Sequence, residues 1–124
     1  MVELSEQLIA KLAQAATEAK AFAYAPYSKF RVGAALLVTD TEEIITGANI
    51  ENASYGGTIC AERTALVKAV SSGITKFSAI AVTTDITSPA SPCGMCRQFI
   101  REFCSLDTPI IMLGSNHENG AAKD

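Results

Sequence analysis

With 124 residues, 48% of them hydrophobic, and a mean hydropathy of +0.22, the chain can bury the core of one compact domain but is too short for two. A net charge of −3 and a pI of about 5.1, with Lys and Arg dispersed, leave no basic stripe to neutralise a phosphate backbone, which argues against nucleic-acid partners. No apolar run approaches the ~20 residues of a membrane span, and residues 1–6 lack the basic-then-apolar pattern of an export signal, so a cytoplasmic location is expected. In a reducing compartment the four cysteines are better read as metal ligands than as two disulfides.

In chain order, Leu4, Leu8, Ile9, Leu12, Ala16, Ala19 and Phe22 recur at helical spacing, with Glu6, Lys11, Gln14, Glu18 and Lys20 between them. This predicts an amphipathic helix ending before Pro26. Residues 30–38 read as a strand apolar on both faces and therefore central. A turn over 39–42 leads to a second strand, 43–49, and the short connection makes the pair an antiparallel hairpin. Residues 60–72 carry Leu66, Val67 and Val70 at helical spacing, with Gly73 as a left-handed terminator. A buried strand over 77–84, a loop over 87–92, a helix over 93–103 with Phe99, Ile100 and Phe103 on its buried face, and a last strand over 109–113 follow. Residues 114–124 are polar and Gly/Asn-rich, read as an unstructured tail to a single domain over 1–113. A hairpin followed by helix, strand, helix and strand implies an α/β fold with helices against a mixed sheet.

The chemistry concentrates in Cys60-Ala61-Glu62 and Pro92-Cys93-Gly94-Met95-Cys96. Three thiolates from Cys60, Cys93 and Cys96 form a three-ligand Zn²⁺ site, and the open fourth position lowers the pKa of a bound water to about 7. Both ligand groups open predicted helices, where the dipole and unpaired N–H groups favour thiolate over thiol. Three thiolates leave the zinc site with a net charge of −1, and Arg63, close to the same helical face as Cys60, can donate to ligand sulfur and offset it; the alternative is a solvated helix arginine. On a regular helix Glu62 lies about 200° from Cys60 and points away from the metal. That conflict disappears if Cys60 is a cap or first-turn residue, and Glu62 can then take a proton from the water and pass it to substrate. A plain N-terminal helix charge is the other reading of Glu62.

Cys104 lies about 16 Å and 12 Å along a helix axis from Cys93 and Cys96, so it reads as a core thiol and not a fourth ligand. His117 sits in the polar tail and reads as solvated.

The Cys-x-Glu and Pro-Cys-x-x-Cys pattern resembles the signature of zinc-dependent base deaminases. The stretches Tyr24-Ala25-Pro26-Tyr27-Ser28-Lys29-Phe30-Arg31-Val32-Gly33-Ala34-Ala35, Gly47-Ala48-Asn49-Ile50-Glu51-Asn52-Ala53-Ser54-Tyr55, Thr58-Ile59-Cys60-Ala61-Glu62-Arg63-Thr64-Ala65 and Ser91-Pro92-Cys93-Gly94-Met95-Cys96-Arg97-Gln98 extend that likeness to the small homotetrameric cytidine deaminases. The resemblance implies a three-layer α-β-α fold with a mixed central sheet and a homotetramer whose neighbouring chains complete each pocket. It also implies that Phe30 stacks on the pyrimidine, that Asn49 and Glu51 hold the ribose, and that the Ala61 backbone helps read the base. Elementary geometry supports part of this: Asn49 and Glu51, two apart in an extended segment, face the same way, and an amide with a carboxylate suits a sugar hydroxyl. The sequence departs from the family pattern after the last strand, where a further strand and helix usually follow.

The expected reaction is hydrolytic deamination of cytidine and 2′-deoxycytidine to the uridines and ammonia, in pyrimidine salvage, with Glu62 as proton shuttle. Three alternatives stand beside it: a deaminase of another aminopyrimidine nucleoside, a structural zinc or Cys-x-x-Cys redox module without hydrolysis, and a polynucleotide editor, which the acidic pI opposes.

Overall fold

The computed structural model describes residues 5–39, 41–54, 57–85, 94–104 and 108–113, with the backbone alone at 94–97 and 99. The first helix, α1 (Glu6–Ala19), begins where the Ser5 Oγ accepts a hydrogen bond from Leu8 N at 3.1 Å and so satisfies one orphan donor of the first turn. Its buried side is Leu12, Ala13, Ala16 and Ala19, of which the periodicity predicts Leu12, Ala16 and Ala19. Phe22, placed on the same face by that periodicity, is instead 82% exposed, because the α-helix has already ended at Ala19; Leu4 lies outside the described residues. A single 3₁₀ turn, Lys20–Phe22, closes it. Here the structure corrects the sequence reading. Lys20, placed among the polar positions, is only 8% exposed, because its ammonium is turned inward to the Thr84 carbonyl (3.1 Å) and the Asp85 carboxylate (3.3 Å).

The sheet runs in the order β2-β1-β3-β4. β1 (Val32–Val38) is central, antiparallel to β2 (Ile44–Ala48) on one side and to β3 (Phe77–Thr84) on the other. β4 (Ile110–Leu113) pairs with β3 in parallel, with Ile80 opposite Ile110. Alternation along the strands sorts the core into two layers. Ala35, Leu37, Ala79, Ala81, Ile111 and Leu113 face α1. Ala34, Leu36, Ile80, Val82 and Met112 face α2 (Ala61–Ser71) and α3 (Gly94–Phe103). The result is a three-layer α-β-α fold around a mixed sheet. Leu12, Leu36, Leu37, Leu66, Ile80 and Leu113 are fully buried, each contributing about 1.5–3 kcal/mol.

Two glycines set how closely the helices approach. A Cβ on Gly33 would stand 2.0 Å from the Ala16 carbonyl oxygen, and one on Gly47 would stand 2.5 Å from Ala65 N and 2.8 Å from Ala61 O. Bare backbone at these positions therefore lets α1 and the first turn of α2 rest on the strands. α2 ends as predicted, with Gly73 at φ +92°. The 87–92 loop and the 114–124 tail with His117 lie outside the described residues. Among the described residues no helix is long and apolar enough to cross a membrane.

Candidate active site

The register brings three chain segments to one end of the sheet. Gly33 at the start of β1 lies opposite Ala48 at the end of β2 and Thr83 near the end of β3, and Val32 lies opposite Thr84. β3 and β4 are parallel, so α3 between them must start at this same end and run back. α2 starts here too, its first turn seated on Gly47. Both helices pack on the same face of the sheet.

Beyond β2 the chain stays extended through Ile50, which exchanges two backbone hydrogen bonds with Ile59 (2.8 and 2.9 Å), while Tyr24 bonds to Asn49 O and Glu51 N (2.9 and 2.8 Å). This lacing delivers Cys60 to the N-cap of α2. Its backbone is extended (φ −72°, ψ 158°), its side chain makes no cap hydrogen bond, and its carbonyl accepts from Thr64 N at 2.9 Å. The cap geometry removes the helical-phase conflict between Cys60 and Glu62, because Cys60 stands outside the regular helix. Glu62, in the first turn, is 4% exposed. Arg63 is half-buried, and its Nη2 donates to the Thr58 carbonyl at 2.9 Å, which turns the guanidinium toward the segment leading into Cys60.

Cys96 lies in the first turn of α3; its side chain and all of Cys93 lie outside the described residues, and among those described no three His, Cys, Asp or Glu side chains converge. The donor chemistry nonetheless fits a zinc ion: Cys60 and Cys96 open helices that share one face and one end of the sheet, where thiolates are favoured. Cys104 follows the far end of α3 and packs against the core, and burial pushes its thiol up to about 11.

Phe30, half-buried, is held at both peptide groups. Its N–H donates to Ser28 Oγ at 3.0 Å and its carbonyl accepts from Asn49 Nδ2 at 2.9 Å. The Asn49 Oδ1 also accepts from Val32 N at 2.9 Å, so the amide bridges the residues flanking Arg31. Among the described residues, one N–H and one lone pair of that amide remain. The Glu51 carboxylate accepts from the Ser28 hydroxyl and from the backbone N–H of Tyr27 (3.1 Å) and Ser28 (3.2 Å). Those bonds, the Ser28 hydroxyl first, and the nearby Lys29 charge hold it below the ordinary carboxylate range. Asn49 and Glu51 thus reach the same 27–32 segment, as their spacing implies.

The sequence reading missed Asp85. Its carboxylate receives Arg31 N (2.9 Å), Nε (3.0 Å) and Nη2 (3.1 Å) as well as Lys20 Nζ. An acidic residue directly after a buried strand was the available signal, but nothing local pairs it with residues 20 and 31.

Residues 6–119 match the family of the cytidine and deoxycytidylate deaminase zinc-binding region. The chain belongs to this family. Within the deaminase family it is 52% identical over 104 residues to a cytidine deaminase of Sporosarcina psychrophila, covering 84% of this chain and 76% of that one. It is 54% identical over 101 residues to one from Halalkalibacterium halodurans, covering 82% and 76%. The crystal structure of cytidine deaminase from Burkholderia pseudomallei superposes with a TM-score of 0.77 at 43% identity, over 87% of this chain and 86% of that chain. Membership in a family defined by its zinc-binding region makes Zn²⁺ the cofactor of this deaminase.

Proposed function

We propose that the chain hydrolyses cytidine and 2′-deoxycytidine to the corresponding uridines and ammonia, a step of pyrimidine salvage, with Zn²⁺ held by Cys60, Cys93 and Cys96. The observation that carries this reading is the buried Glu62 two residues past the N-cap Cys60, in a chain about half identical to cytidine deaminases. Bound Zn²⁺ supplies Lewis acidity that makes water acidic near neutral pH. Glu62 takes a proton from the attacking water, delivers it to ring N3, and carries the next to the departing amino group, so that one water is consumed and one ammonia released. Burial keeps this shuttle away from bulk water. Phe30 offers its ring to the pyrimidine face, the Ala61 backbone reads the base edge, and the unused N–H and lone pair of Asn49 serve the sugar with Glu51. Arg63 stiffens the approach to Cys60 and offsets thiolate charge.

The reading includes a cytoplasmic homotetramer. Phe22, Tyr24 and Tyr27, on the segment that leads to Phe30, are 82%, 54% and 50% exposed, aromatic side chains of the kind that subunit contacts cover. The ionised Glu51 next to the sugar position should repel a 5′-phosphate. Competition between cytidine and its monophosphate, with light scattering on the same sample, tests both points. Preference for the nucleoside by a tetramer is expected; equal or better use of the monophosphate contradicts the substrate assignment, and an active monomer contradicts the assembly.

A further inference from the structure

We propose that Asp85 is a positioning residue for Phe30: anchored by Lys20, it fixes Arg31 and thereby presents the Phe30 ring to the pyrimidine. The inference rests on the nucleoside-deaminase reading above.

The β1–β3 ladder ends at Val32 opposite Thr84. Asp85 and Arg31 are the next residues on each strand, so their contacts order the chain where sheet pairing has stopped. The chain needs such a point there. Lys29, one residue before Phe30, has φ +62°, a left-handed conformation that costs a non-glycine residue of order 1 kcal/mol and persists only when its surroundings impose it. Arg31 presents both its backbone N–H and its guanidinium fork to the one carboxylate, through three bonds of 2.9 to 3.1 Å, a two-pronged geometry that sets direction as well as distance. Lys20 fixes the carboxylate in turn. Its side chain is 11% exposed and its ammonium divides its donors between Asp85 Oδ1 and the Thr84 carbonyl, so the end of α1, the end of β3 and the start of β1 close on one another. With Arg31 so held, the Phe30 carbonyl and Val32 N–H on either side are set for the Asn49 amide. Ring placement acts on ground state and transition state alike, which puts the effect in KM.

A double-mutant cycle on the zinc-loaded enzyme separates positioning from general stability. Asp85→Asn keeps shape but weakens the charge-assisted fork, and should raise KM for cytidine about 10-fold with kcat within about 2-fold. Zinc content should not change. In a Phe30→Ala background the same substitution should change KM by less than about 2-fold, since the group it positions is gone. Arg31→Ala, at a half-exposed side chain, should show the same coupling with a smaller shift and decides the matter if Asp85→Asn does not fold. An equal KM effect with and without Phe30, an unchanged KM, or a loss confined to kcat overturns the positioning role. Wild-type protein is assayed first: if it is inert toward cytidine, the functional reading itself fails and this inference with it, whereas an active wild type with uncoupled variants removes only the role of Asp85.

Discussion

Asn49 donates from Nδ2 to the Phe30 carbonyl at 2.9 Å, so a residue expected to hold the sugar also holds the residue expected to carry the base. The same amide accepts from Val32 N at 2.9 Å, and Asn49 is 7% exposed. Asn49→Ala therefore leaves a part-buried carbonyl and N–H without this partner and should cost about 1–2 kcal/mol of stability besides weakening nucleoside binding. Urea unfolding with KM measurement on the same preparation checks both. A variant as stable as wild type, impaired only in KM, would mean that the amide is a sugar ligand without this bracing role.

Gly47→Ala should displace the start of α2. Its new methyl would stand under 3 Å from the backbone of Ala61 and Ala65, atoms that cannot rotate away, and Glu62 lies in that turn. A loss in kcat/KM of about 10²-fold is expected from a shift near 1 Å. Near-normal turnover would show that the helix tolerates the shift.

The Asp85 carboxylate is lowered from 3.8 to about 2, chiefly by its hydrogen bond to the Arg31 side chain. A depressed acid contributes stability above its unfolded pKa and loses it as pH falls through the folded one. Wild type should exceed Asp85→Asn by roughly 1 kcal/mol above pH 4 or so, allowing for solvent screening, and the gap should close as pH approaches 2. Unfolding of the two proteins across that window measures it; a constant gap would contradict the pairing.

Much of the architecture was legible because periodicity and punctuation agree along this chain. Strand β3 matches its predicted bounds, β1 is the central strand its two-sided apolar pattern implies, and Gly73 ends α2. The Cys60–Glu62 spacing left Cys60 at the cap or in the first turn if both residues were to face one site, and the structure has it at the cap. What the sequence concealed is tertiary. Lys20 looks like a surface helix residue until Asp85, far along the chain, is brought beside it. The bracing of Phe30 by Asn49 likewise depends on how the end of β2 meets the start of β1, which no local pattern encodes.

Cys104 should prove dispensable for zinc. Its thiol is pushed up to about 11 by burial and it follows the far end of α3 from Cys96. Cys104→Ala should retain one zinc per chain by metal analysis, and wild-type Cys104 should react slowly with thiol reagents at neutral pH. Loss of zinc in that variant would overturn the ligand assignment.

The most direct measurement is cytidine turnover by zinc-loaded wild type and Glu62→Gln, with metal content determined on both. Glutamine keeps the size of the buried side chain and removes only its capacity to accept and return a proton. Wild type should release uridine and ammonia, while the variant should bind the same zinc and lose activity by at least about 10²- to 10⁴-fold. Near-normal deamination by a zinc-replete Glu62→Gln protein would contradict the proton-shuttle mechanism, and a zinc-replete wild type that leaves cytidine unchanged would contradict the assigned function.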